Sequence, residues 1–313
     1  MGNNPRHIPS PDLLSLVSIR CIQARYLLRP SPRLNALIIG VLAKAQQKYG
    51  VDVFAPTVLS NHGHYLVRFV DAEQQARFMH FVDGNIAREA GRLHEWRGKF
   101  WGEPFAPSLV APDEPSQLEA LRYILSQGCK ENLVSRPQDW PGVNAASILL
   151  SGRNPKGIWV NRTELYEARR RKRGRNKVRP VDFEDEVELK ISQLPCWAHL
   201  SPEAYLARIQ DLVDEVIEET KTRHEKDGTR PLGRRKVLRF HPHHLPSRAK
   251  FSRLPIVRAS SRKVRKKYQD AYRIFLSAYR QASAKLLAGV ENVSFPAGCF
   301  PPGLPFVATR LPP

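Results

Sequence analysis

Cysteine is scarce: Cys21, Cys129, Cys196 and Cys299 are scattered over 313 residues with no CxxC pair. That spacing argues against a zinc knuckle or a dithiol redox motif and reads as reduced thiols in a cytoplasmic protein. Long apolar runs are missing as well. The longest, LNALIIGVLAKA, falls short of the ~20 residues that cross a bilayer, so no membrane partner is expected. The opening MGNNPRHIPSPD has neither the basic-then-apolar layout of a secretory leader nor the Ser or Thr that myristoylation wants where Arg6 stands. No GxxxxGK[ST] loop is present, which argues against a nucleotide-driven reaction. Acidic residues are outnumbered, 30 Asp+Glu against 50 Lys+Arg, for a net charge of +20. The imbalance is lopsided: residues 1–150 carry 16 basic against 13 acidic side chains, the remainder 34 against 17. A polyanion such as nucleic acid is the partner such a C-terminal half suits.

What is present in the first half alternates regularly. SLVSIRCIQ reads as a strand, and LNALIIGVLAKAQQKYG as a helix stopped by Gly50. VDVFAPTVLS and HYLVRFV form two strands joined at SNHG, followed by a helix over DAEQQARFMHFVDGNIAREAG, a strand in FAPSLVAP and a helix in PSQLEALRYILSQG. The order β-α-β-β-α-β predicts an α+β, ferredoxin-like (RRM-like) split βαβ unit with an antiparallel sheet open on one face. We divide the chain into a catalytic domain over 1–147, a basic linker over 148–195 and a basic, mainly helical C-terminal extension over 196–313. In the extension, SPEAYLARIQDLVDEVIEETK carries an apolar stripe of Leu206, Ile209, Val213, Val216 and Ile217 behind a Ser201 cap and Pro202. The 26 prolines predict long loops, and the tail SFPAGCFPPGLPFVATRLPP an extended packing strap.

Two short patterns carry chemistry. In the stretch VLSNHGHYLVRF, strand alternation places His62, His64, Leu66 and Arg68 on one face and Gly63, Tyr65, Val67 and Phe69 on the other. Two imidazoles two residues apart can form half of a metal site, although a pair of ordinary surface histidines fits the pattern too. In PSQLEALRYILSQG, Ser116 and Glu119 fit a capping box and Leu118, Leu121 and Leu125 a core stripe. Tyr123 and Gln127, four apart, fall together on the opposite face, where a tyrosine merely packed at a helix edge is the alternative.

These residues together resemble the HUH endonucleases, and within them the single-tyrosine and REP-associated tyrosine transposases. The resemblance rests on Asn61-His62-Gly63-His64, on Tyr123 and Gln127 beginning 59 positions after His64, and on the RPQDWP segment from Arg136 to Pro141. It spans about residues 6–147. It implies that His62, His64 and Gln127 bind a divalent metal, Mg²⁺ or Mn²⁺, and that Tyr123 attacks a phosphodiester of single-stranded or hairpin DNA. The products would be a 5′-phosphotyrosine link and a free 3′-hydroxyl. It leaves open a monomer or a homodimer, with Tyr123 serving its own subunit's histidines or a partner's. A DNA- or RNA-binding regulator derived from such an enzyme, and a replication-initiator-like nickase, are the competing expectations. Gly63 departs from the family, which has a bulky apolar residue there, and a strand glycine costs about 0.5–1 kcal/mol relative to Ala.

Candidate nucleic-acid contacts come from basic clusters. Arg92, Trp96, Arg97 and Lys99 lie in GRLHEWRGKFWGEPF, which suits stacking of unpaired bases as well as anchoring of aromatics in a core. Arg171, Lys172 and Arg173 belong to a basic run, and Arg234, Arg235 and Lys236 to a basic, aromatic, Pro-rich segment. Arg262, Lys263, Lys266 and Lys267 crowd the first turns of a helix, where positive charge opposes the dipole and invites an external anion.

Overall fold

The computed structural model describes residues 5–171, 178–247 and 255–301, so the expected contacts Lys172 and Arg173 lie outside the described residues. The chain runs β1 (Leu14–Arg20), α1 (Pro32–Tyr49), β2 (Asp52–Val58), β3 (His62–Arg68), α2 (Ala72–Leu93), β4 (Ala106–Val110), α3 (Glu114–Leu125), a single turn α4 (Gln127–Lys130) and α5 (Ala145–Leu150). Then follow β5 (Lys156–Val160), α6 (Arg162–Arg171), β6 (Glu184–Glu188), α7 (Pro202–Asp227), α8 (Arg234–Arg239), β7 (Val257–Arg258) and α9 (Arg262–Leu287). The main sheet has the order β2-β3-β1-β4-β7, with β7 parallel to β4 and the other pairs antiparallel. Its first four strands and α1 and α2 make the ferredoxin-like unit expected from the sequence. Local signals agree. The Ser31 hydroxyl accepts from the Leu34 N–H ahead of α1, Gly50 closes that helix at φ 63°, and Asp71 caps α2 through the Gln74 N–H.

Strand alternation divides the interior into two cores. One face sends Val17, Ile19, Val53, Tyr65 and Val67 against Leu34, Ile38 and Leu42 of α1 and Phe78, Val82 and Ile86 of α2. The other face, expected to be open, is covered over its Leu14, Leu16 and Leu66 end by Leu121 and Ile124 of α3, Ala145 and Ala146 of α5, and Ile209 and Val213 of α7. The extension therefore completes the domain instead of trailing from it, because an apolar sheet face needs a second layer to leave water. Residues 148–195, expected as a linker, contain the β5–β6 hairpin, which lies across α1. The two backbones meet at Gly40 and Gly157: a Cβ on Gly40 would fall on the Ile158 carbonyl, and one on Gly157 on the Gly40 amide. Only glycine permits that approach.

Three local details differ from the sequence reading. The cap of α3 is Asp113, whose carboxylate accepts from the Ser116 N–H at 3.0 Å, instead of Ser116 itself. The helix stops at Leu125, and Gln127 opens the separate turn α4. On α7, Leu206 is exposed while Tyr205 and Leu212 are buried, since the helix rolls by one position to meet α3 and Trp197. The Ser201 cap and the Pro202 start are as expected.

Gly63 has a steric reason. It pairs with Ile19 of β1 and Val58 of β2, so the ladder runs through it unbroken. Tyr65, two residues on and on the same face, folds its ring back over the glycine, and a Cβ there would lie 2.8 Å from the phenol oxygen. Among the described residues that oxygen is buried without a hydrogen-bond partner, and burial pushes the phenol far above its ordinary pKa. Gly63→Ala should therefore cost about 1–3 kcal/mol in urea unfolding, and Tyr65→Phe in the same chain should recover at least half of it. Strictly additive losses in the four-variant cycle would show that the two side-chain sites do not compete for space.

Candidate active site

The four residues singled out by the sequence come together beneath the C-terminal end of α3. His62 and His64 project from β3 with ring centroids 4.9 Å apart and nearly perpendicular planes, and both are buried. The Tyr123 ring stands 5.3 Å from His64, again edge to face. Gln127 is buried, donates through Nε2 to the Tyr123 carbonyl at 2.6 Å, and lies close enough to His62 to influence its ring. Although Gln127 has left the helix, the i to i+4 contact with Tyr123 persists, because α4 begins directly at the end of α3.

Outer hydrogen bonds orient the imidazoles. His62 Nδ1 lies 2.6 Å from Asn61 Oδ1, which can only accept, so Nδ1 carries the proton and Nε2 keeps its lone pair. His64 Nδ1 is 2.5 Å from the Ser18 hydroxyl, its cross-strand neighbour on β1. Desolvation is the largest influence on both rings: it pushes His62 down to about 3, with the positive charge of Arg20 adding to it and Gln127 opposing. His64 is held well below its ordinary value by burial, then by His62, Arg20, Arg258 and Lys130. Both rings are thus neutral at physiological pH.

This neutrality has a consequence for stability. Unfolded, each histidine would bind a proton near 6.5; folded, His62 does so only near 3, so between those values the unfolded chain holds more protons and stability rises with pH. The contribution is complete above pH 6.5 and is lost as the pH falls toward 3, at about 1.4 kcal/mol per pH unit for one histidine. Melting curves in EDTA from pH 7 to pH 4 should fall more steeply for the unaltered chain than for His62→Gln. Parallel curves would contradict the buried neutral imidazole.

A collar of cations surrounds these donors. Arg20 is the cross-strand neighbour of His62. Lys130 Nζ lies 4.7 Å and Arg258 Cζ 4.3 Å from the centroid of the Tyr123 ring. A cleft reaches His62 from the surface between Arg20, Tyr26, Asn61, Glu131 and Phe240. Its outer wall comes from the extension, where Gly233 N–H bonds the Leu133 carbonyl and Arg29 the Leu238 carbonyl. Sequence reasoning passed over Arg20, Lys130 and Arg258. The alternation of Ser18 and Arg20 opposite His64 and His62 could have found the first, given the strand pairing; Arg258 comes from a two-residue strand with no local signal.

The expected nucleic-acid contacts separate into groups. Arg234, Arg235 and Lys236 are exposed on α8, whose Val237 lines the cleft. Arg262, Lys263, Lys266 and Lys267 are exposed at the start of α9, behind the Ser261 cap, with no acidic residue in the first turn. Arg97 and Lys99 are exposed, and Trp96 is half-buried against His243, donating to the Lys99 carbonyl. Phe100 is buried, and Trp101 packs against the same core. Arg92 is paired with the buried Glu89, and Arg171 with Glu167. Among the described residues no group of three or more His, Cys, Asp or Glu is placed to hold a metal, so a cation here would rest on two histidines and the Gln127 carboxamide.

Fold and side chains define a ferredoxin-like α+β domain with a histidine pair, a glutamine and a tyrosine converging beside its central strands. No family profile matches the chain, and neither does any curated protein. Among solved structures it is similar to a REP-associated tyrosine transposase bound to a REP hairpin, at 14% identity over 45% of this chain and 81% of that one, TM-score 0.38. It is also similar to a candidate transposase from Deinococcus radiodurans R1, at 15% identity over 41% of this chain and 98% of that one, TM-score 0.28.

Proposed function

We propose that the protein is a transposase-like enzyme that cuts and rejoins single-stranded or hairpin DNA through a covalent link to Tyr123. The observation that carries this reading is the convergence of Tyr123, His62, His64 and Gln127 inside a ring of Arg20, Lys130 and Arg258. Uncharged donors beside cations that have no carboxylate partner among the described residues suit a site whose negative charge arrives with the substrate, as a phosphodiester does.

The donor chemistry fits a divalent cation. Two neutral imidazoles and a carboxamide supply three ligands without charge, and imidazole favours Mn²⁺ over the harder, oxygen-seeking Mg²⁺. His62, His64 and Gln127 would hold it, oriented from behind by Asn61 and Ser18. Bound there, it would polarise a phosphoryl oxygen and ease loss of the phenolic proton.

The chain's own residues do the rest. The Tyr123 oxygen forms a bond to phosphorus as the bond from phosphorus to the 3′ oxygen breaks; the phenolic proton leaves to solvent and the departing 3′ oxygen takes one up. One diester replaces another, so no nucleotide is consumed. Exposed basic residues on α8 and α9 supply sequence-independent grip on the strand, which should weaken steeply with salt. The test is a pool of hairpin-bearing single-stranded oligonucleotides incubated with the full chain and MnCl₂, resolved on a denaturing gel. A protein band carrying DNA is expected, and sequencing the trapped strand gives the cut site; no such band with any member of the pool would overturn the reading.

A further inference from the structure

We infer that Arg258, delivered by the C-terminal extension, is a catalytic residue that grips a non-bridging oxygen of the scissile phosphate. The inference rests on the proposed strand-cutting reaction and adds a residue outside the segment that resembles known enzymes. Its placement is built, not incidental. Residues 257 and 258 join the sheet as its edge strand, with Val257 beside Leu109, Arg258 beside Val110, and the Arg258 carbonyl accepting from the Ala111 N–H at 3.0 Å. Parallel neighbours share a face, so Arg258 rises on the side occupied by Val110 and, two strands further, by the histidines. Its guanidinium then lies over the Tyr123 ring, 4.3 Å from the centroid, and its charge reaches His64.

Two features mark this arginine as waiting for an anion. Its Nε–H, like that of Arg29, is buried with no hydrogen-bond acceptor among the described residues, whereas Arg33, Arg68 and Arg162 each meet a carboxylate. A buried guanidinium donor left open asks for a missing partner, and the planar fork of arginine matches a phosphate. No carboxylate is within ion-pair reach of Arg258 among the described residues. Beside an attacking phenol, the phosphoryl group would meet that fork as charge accumulates on its non-bridging oxygens, where a fixed donor helps most. The same stacking holds the Tyr123 ring in place through its π face.

The test compares two linkages at the cut site found with the oligonucleotide pool: the natural diester and a methylphosphonate, which removes one non-bridging negative charge. On the natural linkage Arg258→Ala should slow release of the 3′-hydroxyl strand by about 10²–10³-fold, with Arg258→Lys in between. On the methylphosphonate, Arg258→Ala and the unaltered chain should differ by less than about threefold, because the charge that Arg258 answers is gone. An equal loss on both linkages would reduce Arg258 to a support for Tyr123 and overturn the inference, as would no loss on the natural one. Arg258→Lys, which keeps the charge and the strand, shows whether a defect comes from unfolding of the edge. Failure of the unaltered chain to form any adduct would instead bring down the strand-cutting reading, and this inference with it.

Discussion

Tyr123→Phe should abolish the covalent DNA adduct, a loss of at least about 10³-fold in strand cleavage, while leaving the fold and oligonucleotide binding intact. The separation is expected because of what the ring already does. Tyr123 packs against His64, Lys130 and Arg258 through its edge and π face, and phenylalanine offers both surfaces. Among the described residues the hydroxyl makes no hydrogen bond, so removing it strands no partner. What disappears is the oxygen proposed to bond to phosphorus. Thermal midpoints within about a degree of each other, equal retention in a gel shift and an empty adduct lane constitute the expected result. An undiminished adduct would move the nucleophile elsewhere, and loss of binding together with the adduct would make the Tyr123 hydroxyl a strand-binding group instead of the nucleophile.

The ferredoxin-like unit was legible in the sequence because its signals are local. Ser31, Asp71 and Gly50 mark helix ends through one or two hydrogen bonds each, and strand alternation alone decides that His62 and His64 face away from Tyr65 and Val67. The tyrosine and glutamine were legible for the same reason: a spacing of four keeps them adjacent whether the helix continues or, as here, yields to a new turn. The cover on the second sheet face was not. It depends on Ile209 and Val213 of α7 meeting Leu16 and Leu66, which lie far away along the chain, and an apolar stripe does not say which surface it seeks. Gly40 and Gly157 carried no signal either, since a glycine inside a helix or strand pattern reads the same whether it weakens the element or admits another backbone. The cationic collar is also a tertiary product: Arg20 comes from β1, Lys130 from α4 and Arg258 from β7.

The second large effect concerns the imidazoles, and the two amide replacements of histidine can separate their nitrogens. Asparagine places its amide near where Nδ1 was; glutamine reaches to where Nε2 was. At His62, Nδ1 is committed to Asn61, so Nε2 is the atom left for a cation. His62→Asn should therefore keep the inner hydrogen bond yet lose Mn²⁺ affinity and cut adduct formation by on the order of 10³-fold, whereas His62→Gln should retain measurable binding of both. Mn²⁺ titration followed by electron paramagnetic resonance reads affinity without needing DNA, and EDTA should silence the unaltered chain until Mn²⁺ is restored. If asparagine is tolerated and glutamine is not, the metal-facing nitrogen is Nδ1 and Asn61 is a competitor for it. If neither substitution changes Mn²⁺ binding or cleavage, the histidine pair is a packing element beneath the tyrosine, and the phosphate must be answered by Arg20, Lys130 and Arg258 alone.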